Sequence, residues 1–175
     1  CPPLTRSATA DSTSPRQRGE GICAGVDGCK AGWVAAIRSD DGSVTMQVFP
    51  RIDVLIDTLP ANATIAVDMP IGLPDTVGQG GRGPEALIRP LLGQRQSSVF
   101  SIPSRAALYA ETDPFASLDE WYAAHRRASA VARATSDPSR AISIQAFGIF
   151  GKIRELDALL RARPGLCERV IESHP

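Results

Sequence analysis

The sequence lacks the features that mark several common classes of functional site. None of its four cysteines forms a CxxC pair, so neither a zinc ribbon nor a thioredoxin-type redox motif is expected. Its 19 Lys and Arg residues are balanced by 19 Asp and Glu residues, which gives a formal net charge of zero. The chain therefore lacks the strong positive charge of a non-specific nucleic-acid binder. An enzyme that holds nucleic acid briefly, or that grips a small phosphate ester, is still compatible with this charge.

Long apolar runs are also missing. No stretch has the length of a membrane span, and the polar N-terminus lacks the apolar segment of a signal peptide. A membrane partner is therefore not expected, and a cytoplasmic location follows by default. Residues 1–20 are rich in Pro, Ser, Thr and Arg, which predicts a disordered leader before a single domain over residues 21–175. Because the chain begins at Cys1 and stops at Pro175 after a strand-like run, we interpret it as a fragment.

Three short apolar runs follow the leader and predict three strands, at residues 22–27, 32–38 and 43–49. The third run alternates Val44, Met46 and Val48 with polar residues, as a half-buried strand does. A turn sequence at residues 40–42 (Asp-Asp-Gly) separates the second run from the third and is typical of a hairpin. Strands linked this tightly are expected to form an antiparallel meander.

The rest of the chain alternates helical and strand patterns. Apolar residues at 52, 55, 56 and 59 predict a short helix that Pro60 ends, and residues 64–68 predict a buried strand. This order favours a mixed α/β sheet over a sandwich. Residues 69–113 are dominated by loops, with a helical stretch over residues 85–92, and a loop of this length is more often functional than idle. Helices are then predicted after Pro114 and from Ser143 to Arg163, and a last strand at residues 169–173.

Two aspartates follow similar apolar runs: Asp27 ends Ala-Gly-Val-Asp, and Asp68 ends Ile-Ala-Val-Asp. Ligand sites in open α/β sheets form at the carboxyl ends of strands. If these two strands are parallel neighbours, the two carboxylates lie close together and must share a proton or a cation. Oxygen ligands without a converging His or Cys favour Mg²⁺ or Mn²⁺ over Zn²⁺.

Each aspartate also has an ordinary structural interpretation. Asp27-Gly28 between two apolar runs is typical of a hairpin turn, and Asp68 before Met-Pro is suited to capping the turn that follows. Both interpretations stay open at the level of sequence.

Arginines and serines are interleaved in and beside the long loop, where guanidinium and hydroxyl groups are suited to holding phosphate oxygens. A solvated surface with ordinary helix caps is the alternative. The residues concerned are Arg82, Arg89, Arg95, Ser97, Ser98, Ser104 and Arg105.

Five motifs, in the same order along the chain, resemble the domain-of-unknown-function 429 family. They are Gly-Val-Asp-Gly-Cys-Lys-Ala-Gly-Trp at 25–33, Asp-Met-Pro-Ile-Gly-Leu-Pro at 68–74, Leu-Gly-Gln-Arg-Gln-Ser-Ser-Val-Phe at 92–100, Lys-Ile-Arg-Glu-Leu-Asp at 152–157 and Glu-Ser-His-Pro at 172–175. The resemblance covers about residues 22–175. It implies a predicted nuclease with an RNase H-like fold, which is a fold-level inference.

The resemblance also implies roles for single residues. Asp27 takes the place of the first-strand acid, Asp68 that of the fourth-strand acid, and Glu172 that of a third metal ligand or a base. Lys30, in the first motif, is expected to contact substrate phosphate. The same role is implied for Arg95, Ser97 and Ser98.

This sequence departs from the family pattern at two places. Pro84-Glu85 stands where the family usually shows Cys-Asp. The family also continues past His-Pro with another acid, a strand and a helix, whereas this sequence stops at Pro175. A further ligand from that part is therefore absent from the sequence.

Three functions are consistent with these patterns. The first is a metal-dependent nuclease acting on DNA, RNA or a small phosphate ester. The second is a non-catalytic, degenerate module that binds a ligand or a partner. The third is a phosphotransferase related to the actin-like kinases, because Gly-Val-Asp-Gly before a hairpin also resembles their phosphate loop. Those kinases need a second, similar half, and the sequence contains no internal repeat.

Overall fold

The structure is a computed structural model that describes residues 21–174. The predicted disordered leader, residues 1–20, lies outside the described residues. By its internal contacts the chain divides into two compact units. Of the described residues, the first unit, the sheet unit, contains those up to Gly72 and those from Ala158 onward, and the second, the helical unit, is Leu73–Asp157.

A mixed five-stranded sheet forms the centre of the sheet unit. In the order of the chain its strands are β1 (Cys23–Cys29), β2 (Gly32–Arg38), β3 (Val44–Phe49), β4 (Thr64–Val67) and β5 (Val170–Glu172). Their order across the sheet is β3-β2-β1-β4-β5. The pairs β1–β2 and β2–β3 are antiparallel, whereas β1–β4 and β4–β5 are parallel. The predicted meander and the mixed α/β class are both confirmed.

The two faces of this sheet differ in burial. Successive side chains of a strand point to opposite faces, and one face carries the fully buried Trp33, Ala35 and Ile65. Helix α1 (Ile52–Thr58) is buried at Ile52, Leu55 and Ile56, which are the positions that its sequence pattern predicts. The opposite face carries Asp27.

Helices dominate the helical unit. Those that begin in it are α2 (Gly83–Leu92), α3 (Arg105–Leu108), α4 (Leu118–Ala134), α5 (Ile144–Gly148) and α6 (Phe150–Ala162), and a 3₁₀ helix spans Gly93–Ser98. Helix α6 ends in the sheet unit, where a second 3₁₀ helix covers Pro164–Glu168. Ala124, Ala128 and Ala132 of α4 are buried, and such small side chains allow neighbouring segments to approach closely.

Three helix predictions need correction. The helix expected directly after Pro114 begins at Leu118, because the side chain of Ser117 accepts a hydrogen bond from the Glu120 backbone N–H and caps it there. The helix expected over residues 143–163 is two helices, α5 and α6, which are separated at Ile149. Gly148 ends the first, consistent with the low helix propensity of glycine. Helix α3 lies in the stretch for which loops were expected.

Candidate active site

Asp27 lies within β1 and not in a turn. Strand β1 continues to Cys29, and Asp27 pairs with Val34 of β2. The turn predicted at Asp27-Gly28 lies instead at Lys30-Ala31. The parallel pairing of β1 with β4 ends one residue earlier, at Val26 and Val67. Asp27 is thus the first residue of β1 beyond its parallel pairing with β4, and its backbone still pairs with β2.

Asp68 holds the equivalent position on the neighbouring strand. It directly follows Val67, and its backbone N–H donates to the carbonyl of Val26 at 2.8 Å. Adjacent strands lie about 4.8 Å apart, and Val26 and Val67 are both buried on the same face. The register therefore directs Asp27 and Asp68 to the opposite face from these valines, side by side.

The electrostatics of Asp68 reflect this neighbourhood. Burial raises the pKa of the Asp68 carboxyl above its ordinary value, and the negative charge of Asp27 raises this pKa further. His174 opposes the shift, since its Nδ1 lies 3.6 Å from Asp68 Oδ1. The negative charge of Glu172 also raises the pKa of Asp68, by a smaller amount. Bringing these two aspartates together therefore costs free energy in the protein alone, and a cation between them would recover it.

Glu172 approaches the same edge of the sheet from β5. Its Oε2 accepts a hydrogen bond from the backbone N–H of Ile71 at 2.9 Å, which ties the end of β5 to the segment that follows Asp68. Among the residues that the structure describes, no group of three His, Cys, Asp or Glu side chains is arranged to hold a metal ion. The aspartate pair is present, but a three-carboxylate cluster with Glu172 is not.

The predicted phosphate contacts are divided between the two units. Lys30 is exposed in the β1–β2 turn of the sheet unit. Arg95, Ser97 and Ser98 belong to the 3₁₀ helix Gly93–Ser98 of the helical unit. The assignment of these four residues to phosphate stays a prediction.

The sequence did not single out His174 as a partner of Asp68. Taken alone, His174 is an exposed residue near the end of the sequence. Its place follows from the parallel pairing of β5 with β4, in which Glu172 lies opposite Val67 and the Ser173 N–H donates to the Val67 carbonyl at 2.9 Å. The signal available in the sequence was the Glu-Ser-His-Pro motif directly after a strand pattern.

The sequence profile of one protein family matches residues 25–175, which is most of the chain. The chain belongs to the family described as Protein of unknown function (DUF429). This confirms the resemblance drawn from the five motifs, while the family's description states no activity. Comparison with curated proteins and with solved structures found no match. Among the described residues, no helix is both long enough and apolar enough to cross a membrane.

Proposed function

We propose that this DUF429 chain is a metal-dependent phosphodiester hydrolase built on an RNase H-like sheet. One observation carries the proposal: Asp27 and Asp68 emerge side by side at the point where the parallel pairing of β1 and β4 ends. The carboxyl ends of parallel strands are the usual place for ligand sites in open α/β sheets.

The residues at this edge suit a hard divalent cation. Mg²⁺ is usually held by one or two carboxylates and keeps its other positions for water and substrate phosphate, so a pair of aspartates is a sufficient protein contribution. Burial and the negative charge of Asp27 disfavour the charged form of Asp68 and raise its pKa. A cation between the two carboxylates would stabilise that charged form. Mn²⁺ accepts the same oxygen ligands.

When bound, such a cation polarises a phosphoryl oxygen and lowers the pKa of a coordinated water. In the mechanism that we propose, Asp27 and Asp68 hold the cation through their carboxylate oxygens. The Nδ1 of His174, 3.6 Å from Asp68 Oδ1, orients the Asp68 carboxylate. Glu172, whose Oε2 accepts a hydrogen bond from the Ile71 N–H, is the candidate base of this mechanism. Lys30 supplies a positive charge for the substrate phosphate.

A non-catalytic binding module is the second candidate. The observation that favours it is the lack of a three-ligand group among the described residues. A module of this kind would use the aspartate pair to bind a cation or a cationic partner, and it would not cleave phosphodiesters.

Paired substitutions test the first function against the second. Asp27→Asn and Asp68→Asn keep the size of each side chain and remove its charge. We expect each variant to lose about 100-fold or more of Mg²⁺- or Mn²⁺-dependent cleavage, because residues that merely support metal ligands already cost about 10- to 100-fold. The substrates are a single-stranded RNA, a single-stranded DNA and bis-p-nitrophenyl phosphate, and calorimetry with each cation reports binding independently of cleavage.

Asp40→Asn is the matched control, because Asp40 is an exposed aspartate in the β2–β3 turn of the same unit, and this variant should cleave as the wild type does. Thermal unfolding of Asp68→Asn guards against a folding defect. That variant removes a charge that burial disfavours, so its unfolding temperature at neutral pH should not fall. Cation binding without cleavage in the wild type would support the binding module, and unchanged cation binding in both variants would exclude this site.

A further inference from the structure

Strand β3 lies at one edge of the sheet and exposes a row of apolar side chains. Val44, Met46 and Val48 are 61%, 69% and 52% exposed. They alternate along the strand, so all three point to the same face. Such a contiguous apolar row on a sheet edge indicates a surface for another protein segment.

The hydrogen-bonding groups of the same three residues point away from the sheet. Ser39 N–H donates to the Ser43 carbonyl at 2.9 Å, which makes these two a hydrogen-bonded pair of the β2–β3 ladder. Hydrogen-bonded and non-hydrogen-bonded pairs alternate along an antiparallel ladder. Three pairs of this ladder are therefore non-hydrogen-bonded: Arg38–Val44, Ala36–Met46 and Val34–Val48. The backbone N–H and C=O groups of the three β3 residues consequently face outward, along the free edge.

The usual protection of an edge strand is missing from β3. Proteins block such edges with charged residues, proline or a bulge. Residues 43–49 (Ser-Val-Thr-Met-Gln-Val-Phe) contain neither a charge nor a proline, and the β2–β3 register runs without interruption from Val44 to Phe49. Among residues 21–174, no strand pairs with this edge of β3, so it is suited to pairing with another strand.

The strand is complementary to a second copy of itself. In an antiparallel arrangement with Met46 opposite Met46, Val44 of each copy lies opposite Val48 of the other. Each of these residue pairs exchanges two backbone hydrogen bonds, and all the apolar side chains stay on one face. A register shifted by one residue would place the outward-facing groups against inward-facing ones.

The charges at the two ends of β3 match this arrangement. Asp40 and Asp41 precede the strand in the β2–β3 turn, and Arg51, whose side chain is 68% exposed and pairs with Asp53 of the same chain, follows it. In an antiparallel arrangement the acidic end of one β3 lies near the Arg51 end of the other. Such complementarity favours this orientation over a parallel one.

We propose that β3 is a dimerisation edge, on which a second copy of this chain docks antiparallel with Met46 opposite Met46. The resulting twofold axis is perpendicular to the sheet and joins two five-stranded sheets into one of ten strands. Asp27 pairs with Val34, and Val34 pairs with Val48, so Asp27 lies on the same face of the sheet as the apolar row. The aspartate pairs of both copies therefore lie on one face of the joined sheet.

Analytical ultracentrifugation over a concentration series tests the dimer. We expect the wild type to approach twice the mass of the single chain as its concentration rises. Met46→Pro removes one outward-facing N–H from each copy and leaves the β2–β3 ladder intact, because proline is tolerated where the N–H faces away from the sheet. We expect the dimer dissociation constant to rise about 10- to 100-fold. Met46→Val keeps the donor and an apolar side chain, so this control should remain dimeric.

Cysteine cross-linking tests the register without depending on a proline variant. Hydrogen-bonded antiparallel partners have Cα atoms about 5.5 Å apart, within the range for a disulfide. Met46→Cys should therefore form a 46–46 disulfide under mild oxidation, identified by mass spectrometry of the cross-linked peptide. Val48→Cys is the matched control, since Val48 of each copy lies opposite Val44 and should give no 48–48 cross-link.

Three results would overturn the proposal. The first is a wild type that stays monomeric at millimolar concentration. The second is equal cross-linking of Met46→Cys and Val48→Cys, which would indicate packing of sheet faces and not of edges. The third is a monomeric wild type whose β3 edge instead pairs with a strand of a different protein.

Discussion

At the scale of single residues, Arg82 and Glu85 form a buried ion pair in the helical unit. The two side chains are 2% and 3% exposed, with Arg82 Nε donating to Glu85 Oε1 at 2.7 Å. Glu85 also accepts from the backbone N–H of Arg82 at 3.0 Å, which caps α2. This glutamate stands where the family resemblance led us to expect Cys-Asp, and in this chain it stabilises the fold.

Glu85→Gln should therefore destabilise the chain strongly. The substitution removes the Glu85 charge from a buried ion pair, and breaking such a pair typically costs about 3–5 kcal/mol in the free energy of unfolding. Urea unfolding measures this loss. Glu111→Gln serves as the control, because its partner Arg127 is exposed to solvent and exposed pairs contribute much less. A loss no larger than that of the control would show that Arg82 finds other compensation.

The two aspartates could be predicted from sequence, whereas the burial of Glu85 could not. Asp27 and Asp68 follow directly from local strand patterns, and the parallel pairing of their strands then brings them together. The partnership of Arg82 and Glu85 depends on a loop with several glycines. Gly81 takes a φ of +101°, and a Cβ there would lie 2.2 Å from Glu85 Oε2. Nothing in the local pattern of residues shows that this loop folds over a charged side chain.

At the scale of secondary-structure elements, the meander depends on the way the chain enters β2. Gly32 has a φ of +135°, and a Cβ at this position would lie 2.1 Å from the backbone oxygen of Phe49. Both the conformation and the close approach of β3 therefore require glycine here. Gly42, in the β2–β3 turn, also has a positive φ of +83°, but no atom lies within 4 Å of its Cβ position.

This contrast predicts different costs for two identical substitutions. Gly42→Ala carries the conformational penalty alone, about 1–2 kcal/mol for an L residue in the left-handed region. Gly32→Ala adds a clash with the β3 backbone and should cost clearly more than Gly42→Ala. Chemical unfolding compares the two variants directly. Equal losses would mean that β3 moves aside without cost, so that the close packing of Gly32 against Phe49 does not hold the meander together.

Element boundaries were less predictable than the elements themselves. Apolar periodicity correctly predicted α1 and all five strands, because a strand or helix that buries one face must repeat apolar residues at its own period. Periodicity says little about where a helix begins, and at α4 the cap by Ser117 determines the first turn. It also missed α3, whose four residues Arg105–Leu108 are too few to show a period.

At the scale of the whole molecule, the meander and the parallel fourth strand could be predicted from sequence, but the place of β5 and the division into two units could not. Short links between β1, β2 and β3 require antiparallel neighbours, and the helix between β3 and β4 allows a parallel return. The long stretch from residue 69 to residue 113 showed no comparable pattern. Its helices are short, and polar contacts join it to residues far away in the sequence. The Ser104 hydroxyl, for example, lies 2.7 Å from the hydroxyl of Thr135.

Carboxylates with lowered pKa values are present in both units, and they predict how the molecule responds to acid. A hydrogen bond from Arg127 lowers the pKa of Glu111 below its ordinary value of 4.5, and one from Arg51 lowers the pKa of Asp53 below 3.8. A carboxylate whose pKa is lower in the folded state stabilises the fold above its unfolded-state pKa, and this stabilisation is lost as the pH falls through the folded-state value.

We therefore expect the free energy of unfolding to be nearly constant from pH 7 to about pH 5 and to fall below the ordinary carboxyl values near 4. Glu111→Gln should make the free energy of unfolding fall less steeply with pH, because the variant has no carboxylate to protonate at this position. Asp53→Asn should have the same effect in the sheet unit. The raised pKa of Asp68 acts in the opposite direction, because its protonation relieves an unfavourable buried charge. Urea unfolding measured at half-unit pH steps would reveal these slopes. If both variants reproduce the acid profile of the wild type, other groups control the response to acid.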